Sequence, residues 1–240
     1  MFCSSVLNAN DLLVAVASNF RRTFDHLTPL FEQMTGHRVQ ASFASTGQLA
    51  AQIDAGAPFA IFLAADDQYR LHLNPQTQTF DQHFIYALGK LILWRNPPGF
   101  PAGADTLEQR LQGVQKIALA NPTTAPYGRA AQEVLTHVGV LEKLRSQLVF
   151  ANNVGQTLSY LTSGNAEAGF VALAQILESD LPGSYWIVPQ TLYTPIRQEA
   201  ILLENKKVTN EKNSAAQAFM TFLQSQEARK IIAQGGYDLP

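Results

Sequence analysis

Short apolar runs alternate with helical repeats over the first quarter of the chain, and this alternation most limits the fold. Apolar runs at 12–17, 39–43 and 60–63 have the length of buried strands. Between them, 21–35 and 47–55 carry apolar residues at the three- and four-residue spacing of one helix face. Strands that alternate with helices favour a parallel sheet covered by helices on both faces. The sequence therefore predicts an α/β fold.

The pattern is interrupted once and then returns, which indicates a second structural unit. Two strand-like runs, 84–88 and 91–94, follow each other with only two residues between them, and strand–helix alternation then resumes. We predict two lobes joined by a hinge with two crossings, and a ligand cleft between the lobes. The predicted lobes are 11–85 together with 196–240, and 86–195.

The composition excludes several classes of function. The 240 residues are 46% hydrophobic, so the chain can build sizeable cores. Charged residues make up 15%, the formal net charge is -2 and no basic stripe occurs, so nucleic acid is not an expected partner. No apolar run approaches the ~20 residues of a membrane span. Cys3 is the single cysteine and excludes an internal disulfide framework.

The first ten residues form a separate, weakly apolar segment without a positively charged start. We expect 1–10 to be an N-terminal extension or the remnant of a signal peptide, because a complete secretory signal has a charged first part. A periplasmic protein with an absent or truncated signal peptide is consistent with this segment.

Four segments end a predicted strand and begin a predicted helix with polar or turn-forming residues. They are Ala17-Ser18-Asn19, Ser45-Thr46-Gly47, Asn121 to Tyr127 and Asn152-Asn153-Val154-Gly155. In open α/β sheets, ligands bind outside the carboxyl ends of the strands, where helices begin. Each segment alone is an ordinary helix cap. The functional hypothesis depends on all of them, two from each lobe, facing one ligand.

These segments are rich in hydrogen-bond donors and poor in acceptors. They offer hydroxyls, an amide and the free N–H groups of helix starts, which suit an anion. They contain no carboxylate and no histidine, and Arg129 is the only cation directly beside them. Molybdate, tungstate and sulfate carry no proton at neutral pH and fit such a shell. Phosphate would bring a proton without an acceptor, at a cost of roughly 1–3 kcal/mol or more.

Other residues that could carry chemistry have simpler interpretations. Asp66 and Asp67 are adjacent, so they do not share a helix face, and we predict that one of them caps a following helix. The five histidines have no metal-ligand spacing, and we expect Trp94 and Trp186 to pack in a core. We therefore predict no catalytic residue, no cofactor and no direct metal-ion ligand.

From Leu12 to Pro240 the chain resembles the substrate-binding proteins of bacterial molybdate transporters. The segments that carry the resemblance are 14–20, 42–47, 56–62, 121–122 with 125–128, 151–156, 169–175 and 236–240. The resemblance implies a two-lobe periplasmic-binding fold of the second topological type (type II). It also implies capture of a tetrahedral oxyanion and delivery to a membrane permease driven by an ATPase.

The resemblance also implies which residues bind the anion. They are Ser18, Asn19, Ser45, Thr46, Tyr127 and Val154, the last two through backbone N–H groups, and molybdenum would be held only as molybdate. Some family members place a tyrosine hydroxyl at the position that is Ala172 here. Tyr127 is the natural substitute for that hydroxyl.

The predicted function is high-affinity binding of molybdate or tungstate by a monomeric protein that reaches the membrane only through its ABC permease. Binding of another tetrahedral oxyanion, such as sulfate, is the alternative. An enzyme acting on a small phosphorylated or sulfated substrate would need a nucleophile with a base in reach, and the predicted site contains neither. A ligand-sensing regulatory domain of the same fold is a third possibility.

Overall fold

A computed structural model describes residues 12–73, 82–96, 99–177, 179, 181–203 and 210–240. The predicted N-terminal extension, 1–10, lies outside the described residues. The strands are β1 Leu12–Ala17, β2 Val39–Ala44, β3 Ile61–Ala64, β4 His83–Gly89, β5 Leu91–Arg95, β6 Ile117–Ala120, β7 Leu148–Ala151, β8 Ala168–Ala172, β9 Ser184–Ile187 and β10 Ile196–Leu202.

Helices alternate with the parallel strands in the first part of each lobe, as the sequence predicts. They are α1 Arg21–Thr35, α2 Thr46–Asp54, α3 Leu107–Arg110, α4 Pro126–His137, α5 Leu141–Leu144, α6 Val154–Thr162, α7 Leu173–Leu177, α8 Asn210–Leu223 and α9 Gln226–Gln234. Single 3-10 turns lie at Ser18–Phe20, Tyr69–His72, Arg145–Gln147 and Gln190–Leu192. None of the helices in the described ranges is long and apolar enough to span a membrane.

Two five-stranded sheets form the framework, with strand orders β2-β1-β3-β10-β4 and β7-β6-β8-β5-β9. In the first sheet β1 pairs in parallel with β2 and β3, and β10 is antiparallel to β3 and β4. The second sheet repeats this plan, because β6 is parallel to β7 and β8, and β5 is antiparallel to β8 and β9. The fourth strand in each spatial order, β10 or β5, is therefore formed by the segment that has just crossed from the other sheet.

The two crossings lie close together. The chain passes from β4 to β5 through Lys90, and it returns from β9 to β10 through 188–195. All of β4, as far as Gly89, belongs to the first sheet. The division of the lobes at residue 85 stays a prediction, and the sheets favour a crossing four residues further along the chain.

Apolar side chains on one face of α1 hold this helix against the first sheet and the C-terminal helices. Phe24, Leu27 and Phe31 are buried at the spacing of one helix face. The ring of Phe31 meets that of Phe219 edge to face at 4.9 Å, which ties α1 to α8. The helix ends at Gly36, whose left-handed φ of 75° suits glycine.

Two details of the sequence prediction were wrong. No helix is capped by Asp66 or Asp67, because the chain there makes only a 3-10 turn that begins at Tyr69 and has no side-chain cap. The last strand of the first sheet begins at Ile196, five residues before the predicted start, because its polar residues Gln198 and Glu199 are buried in the sheet. Alternation of apolar residues could not indicate that polar part of the strand.

The start of α4 packs on the end of β6 more closely than a side chain would allow. A Cβ atom added to Gly128 would collide with the carbonyl oxygen of Ala120 and lie 2.7 Å from its carbonyl carbon. Both atoms belong to the backbone of the neighbouring strand, so neither can move aside without disturbing the sheet. Glycine at this position therefore sets the position of the whole first turn of α4.

We expect Gly128→Ala to destabilise the fold by about 1–3 kcal/mol or more, because the added methyl group overpacks a contact between backbone atoms. Urea unfolding followed by circular dichroism measures the loss. Thr136→Ala, on the exposed part of the same helix, should change the free energy of unfolding by no more than about 0.5 kcal/mol. Equal stability of the Gly128→Ala variant and the native chain would contradict this account of the α4 start.

Candidate functional site

The first predicted junction joins the two lobes directly. Ser18 follows β1 in a 3-10 turn and is partly buried. Its Oγ accepts a hydrogen bond of 3.4 Å from the N–H of Gly155, the second residue of α6. The end of β1, an interior strand of the first sheet, thus lies against a helix start of the other lobe.

The two hydroxyls of the second junction have different partners. Ser45 caps α2: its Oγ accepts from the Gln48 N–H at 3.3 Å and donates to Gln48 Oε1 at 2.9 Å. Thr46 is fully buried, and its Oγ1 accepts from the Ala65 N–H at 3.1 Å. Ser45 was predicted to be an anion ligand, but its hydroxyl hydrogen is already donated. Thr46 is the residue here whose hydroxyl can still donate.

Asn19 is buried beneath the cleft, and both hydrogens of its side-chain amide are donated. Its amide donates to Gln198 Oε1 at 2.8 Å and to the Tyr237 hydroxyl at 3.1 Å. The Tyr237 hydroxyl donates in turn to the Asn19 carbonyl at 3.0 Å, and Tyr86 donates to Gln198 Oε1 at 3.1 Å. Asn19 can therefore offer an anion only its backbone N–H, and the side-chain network fixes the direction of that group.

The second lobe presents the starts of two helices. Pro126 and Tyr127 are the first residues of α4, and Val154 is the first residue of α6. Asn153 caps α6, since its Oδ1 accepts from the Gln156 N–H at 2.9 Å. The backbone N–H groups of Tyr127 and Val154 lie in first turns, where a helix supplies no acceptor of its own.

Gln175 links the start of α6 to the end of β8 through two hydrogen bonds. It is buried, and its amide donates to the carbonyl of Val154 at 3.1 Å while its Oε1 accepts from the Ala172 N–H at 3.0 Å. The residue that stands where some family members have a tyrosine, Ala172, is thus linked through Gln175 to a predicted anion ligand. Sequence reasoning missed Gln175, because its partners become neighbours only in the folded second lobe.

The ring of Tyr127 extends to the hinge between the lobes. A Cβ atom on Gly89, the last residue of β4, would collide with the Tyr127 hydroxyl oxygen, so the two residues are in close contact. The hydroxyl is buried and has no hydrogen-bond partner in the part of the chain that the structure describes. Whether it replaces the hydroxyl of the family pattern stays a prediction.

Burial holds the pKa of Tyr127 well above its usual range, and the neighbouring hydroxyls of Tyr237, Tyr193 and Tyr86 act in the same direction. The Asn19 side chain lies close to the hydroxyl, without the geometry of a hydrogen bond, and opposes the shift. The phenol therefore stays neutral at physiological pH and places no negative charge beside an anion.

Further contacts close the cleft around the second junction. The N–H of Gly47 donates to the carbonyl of Thr124 at 2.9 Å, and the Tyr69 hydroxyl donates to the carbonyl of Thr123 at 3.4 Å. With the contact between Ser18 and Gly155, they bring the four predicted segments together in two pairs. The first and fourth segments meet, and so do the second and third.

The cation that the sequence places directly beside the predicted site, Arg129, is paired with a carboxylate from the other lobe. Arg129, in the first turn of α4, forms an ion pair with the buried Asp66 and lies 3.9 Å from Glu133. Asp66 directly follows Ala65, which donates to Thr46. We predicted that Asp66 or Asp67 caps a helix. The ion-pair partner of Asp66 is 63 residues away, so no local pattern in the sequence indicates the pair. The site thus depends on neutral donors and not on a free arginine.

The described residues contain no group of three or more histidine, cysteine, aspartate or glutamate side chains that could hold a metal ion. Thr46, Tyr127 and Val154 are each at most 3% exposed. The residues that the structure brings together thus form an enclosed set of neutral donors between two lobes, with two of the helix starts contributed by each. This arrangement defines a two-lobe solute-binding protein of the type II periplasmic class.

Comparisons with known proteins agree with this class. A family model described as bacterial extracellular solute-binding protein matches residues 12–238. The molybdate-binding protein ModA of Azotobacter vinelandii is 40% identical over 234 residues, which are 96% of this chain and 91% of that protein. The ModA protein of Rhodobacter capsulatus is 38% identical over 231 residues, which are 95% of this chain and 88% of that protein.

The solved structure of the periplasmic molybdate-binding protein of Azotobacter vinelandii has a TM-score of 0.86 at 41% identity and covers 96% of this chain and 100% of its own. The chain therefore belongs to the bacterial extracellular solute-binding proteins and, within them, to the family of the molybdate-binding proteins. Both the predicted fold class and the resemblance are confirmed. None of these comparisons tests the individual site residues.

We expect Tyr127→Phe to leave the free energy of unfolding unchanged or to raise it by up to about 1 kcal/mol, because the lost hydroxyl makes no hydrogen bond to any described residue. Tyr86→Phe is the matched variant, since its hydroxyl is also buried but donates to Gln198, and it should cost about 0.5–1.5 kcal/mol. Urea unfolding at neutral pH measures both changes. A larger loss of stability for Tyr127→Phe than for Tyr86→Phe would contradict the absence of a hydrogen bond at the Tyr127 hydroxyl among the described residues.

The Tyr127→Phe variant also gives a test at high pH. Unfolded tyrosine loses its proton near pH ~10, whereas buried Tyr127 keeps its proton to higher pH. Above about pH 10 the unfolded state therefore binds fewer protons than the native state. The stability that Tyr127 contributes below about pH 10 is then lost as the pH rises through its raised pKa. The Tyr127→Phe variant should lose less stability than the native chain between about pH 9 and pH 11.

Proposed function

We propose that this protein binds molybdate, and tungstate about equally well, in the cleft and delivers the anion to an ABC-type permease. The observation that carries the proposal is the pairing of four strand-to-helix junctions across the cleft, seen in the contacts Ser18–Gly155 and Gly47–Thr124. Helix starts from both lobes converge where an anion can accept from each of them. The ModA relatives supply the identity of the anion and its transport role.

In the proposed complex, the anion accepts from the Ser18 and Thr46 hydroxyls and from the backbone N–H groups of Asn19, Tyr127 and Val154. Ser45 acts through the cap that fixes Thr46. The protein performs no chemistry and needs no cofactor, in agreement with its solute-binding relatives. We propose that it works as a periplasmic monomer, without nucleic acid, and reaches the membrane through its permease.

Size and protonation account for the proposed selectivity. Sulfate is smaller than molybdate and cannot span donors that both lobes hold at a fixed separation. Monoprotonated phosphate would place an O–H against donors, and an unmatched polar group in a buried site costs roughly 1–3 kcal/mol. The nearby Asp66 could accept such a proton, but Arg129 occupies that carboxylate. The pair between Asp66 and Arg129 thus helps to keep the site free of acceptors.

Thermal unfolding with each anion in excess tests the class of ligand. A ligand at about 1,000 times its dissociation constant stabilises the folded state by roughly 4 kcal/mol. We expect molybdate and tungstate to raise the melting temperature, and sulfate and phosphate to leave it unchanged. A shift with sulfate alone would keep the cleft and change the ligand, whereas no shift with any of the anions would refute the proposal.

Thr46→Ala tests the site itself. Losing a hydrogen bond to a charged group should weaken molybdate binding by about 1.5–3 kcal/mol, measured by titration calorimetry. Thr46→Ser keeps the hydroxyl and should retain most of the affinity. Ser45→Ala is the matched control: it should lower stability by about 0.5–2 kcal/mol through loss of the cap, with little change in affinity. Unchanged affinity in Thr46→Ala would exclude Thr46 as a ligand.

A further inference from the structure

The last five residues, 236–240, form a C-terminal segment that contacts the first predicted junction. The segment follows α9 and is one of those that carry the family resemblance, but it contains none of the predicted anion ligands. Gly236 has a left-handed φ of 90°, which glycine adopts readily, and it turns the chain away from α9. The C-terminal segment therefore lies next to the predicted site without belonging to its ligand set.

Tyr237 holds Asn19 by two hydrogen bonds. Its hydroxyl donates to the Asn19 carbonyl at 3.0 Å and accepts from the Asn19 side-chain amide at 3.1 Å. The Tyr237 side chain is buried, and its ring meets the ring of Phe20 edge to face at 5.4 Å, so packing fixes the place of the hydroxyl. The main chain and the side chain of Asn19 are thus both held by one phenol from the other end of the sequence.

These two bonds determine where the backbone nitrogen of Asn19 lies. The Cα atom of Asn19 carries three heavy substituents, which are the backbone nitrogen, the carbonyl carbon and the side chain. Tyr237 holds the carbonyl and the side chain, so the tetrahedral geometry of the Cα atom leaves one place for the nitrogen. The N–H of this nitrogen is the group that Asn19 offers to the anion in the proposed complex.

The next residue ties the C-terminal segment to the first crossing between the lobes. Asp238 and Leu88 exchange two backbone hydrogen bonds, of 2.8 and 3.1 Å, in an antiparallel bridge. Leu88 lies two residues before Lys90, through which the chain passes to the second lobe. The Asp238 carboxylate also pairs with the Lys90 ammonium at 2.7 Å, but both side chains are partly exposed, so this ion pair contributes little. Backbone bonds therefore hold the segment at the crossing.

The second lobe approaches the C-terminal segment through α7. A Cβ atom on Gly236 would lie 2.7 Å from Leu177 Cδ1 and 3.5 Å from the Cα atom of Ala174, and both residues belong to α7. This helix directly follows β8 of the second sheet, yet Ala174 packs with the core of the first lobe. The segment thus connects a predicted ligand, a crossing and a helix of the second lobe.

We propose that Tyr237 is a positioning residue for the anion: its hydroxyl holds Asn19 so that the backbone N–H faces the bound oxyanion, and the bridge at Leu88 keeps Asn19 at a fixed distance from the crossing. This inference rests on the proposed function, because it takes molybdate as the ligand. Tyr237 makes no contact with the anion, since its hydroxyl hydrogen is already donated. An N–H that is already oriented need not be ordered on binding, and such preorganisation raises affinity.

Tyr237→Phe tests the role of the hydroxyl, because it keeps the ring and its packing on Phe20. We expect the dissociation constant for molybdate to rise about three- to ten-fold, since one neutral hydrogen bond no longer holds Asn19 before the anion arrives. Titration calorimetry on the full chain, well below its unfolding temperature, measures the change. Urea unfolding of the same protein gives the accompanying loss of stability.

Two matched variants separate positioning from stability. Tyr86→Phe removes another buried hydroxyl of the same cluster, but that hydroxyl donates to Gln198 and not to Asn19. It should lower stability and leave the dissociation constant unchanged. Asp238→Asn removes the exposed ion pair with Lys90 and keeps the backbone bridge, so it should change neither quantity appreciably.

A measurement without ligand tests the positioning directly. NMR relaxation dispersion detects a backbone N–H that exchanges between orientations on the μs–ms timescale. We expect such exchange at the Asn19 N–H in Tyr237→Phe, but not in the native chain or in Tyr86→Phe. If the native chain binds no molybdate, the proposed function fails, whereas the relaxation data still decide whether Tyr237 holds Asn19.

Three outcomes would overturn the inference. An unchanged dissociation constant in Tyr237→Phe, with lower stability, would give the hydroxyl a structural role only. An equal rise in Tyr86→Phe would assign the effect to the whole polar cluster. A raised dissociation constant without exchange at Asn19 would show that Tyr237 acts by another route.

Discussion

The N–H groups at the starts of helices need acceptors, and the two-lobe arrangement depends on how this need is met. The first N–H groups of each helix have no partner inside the helix. Ser45 and Asn153 satisfy part of the requirement for α2 and α6 with side-chain caps. The N–H of Gly47 donates instead to a carbonyl of the opposite lobe. In the proposed complex, the N–H groups of Tyr127 and Val154 donate to the anion, so binding and closure satisfy the same helix starts.

The predicted site is built to hold a dianion without a charged side chain of its own. This site has neutral donors, because Asp66 occupies Arg129 and because burial keeps the Tyr127 phenol protonated. Neutral donors bind a dianion through aligned dipoles and add no counterion that has to be desolvated.

Local signals predicted much of the fold. The predicted bounds of β1 and α1 coincide with those observed, because apolar spacing and flanking residues such as Gly36 define them within a few residues. The predicted junctions also lie at strand ends in the structure. The sequence could not show that the Asn19 amide donates to Gln198 and Tyr237, which are 179 and 218 residues away. The same holds for the partner of Asp66, so long-range pairing is the part that one sequence does not reveal.

The position of Tyr127 at the hinge accounts for a buried hydroxyl that has no hydrogen-bond partner among the described residues. Tyr127 belongs to the second lobe, yet its hydroxyl lies against Gly89 at the end of a first-lobe strand. A hydrogen bond there would hold the lobes together whether or not the ligand was present. The phenol therefore fills space in the closed form without a directional bond that would have to break on opening.

The closed form must also be stable enough to hold an anion and weak enough to release it. Two of the hydrogen bonds across the cleft are 3.4 Å long, and neutral bonds of better geometry contribute only about 0.5–1.5 kcal/mol each. Each hydrogen bond to a dianion contributes about 1.5–3 kcal/mol, and an anion held by both lobes makes several. A ligand shifts a conformational equilibrium by its difference in affinity for the two states. In the proposed complex the anion adds hydrogen bonds to both lobes, so its departure would weaken the closed form.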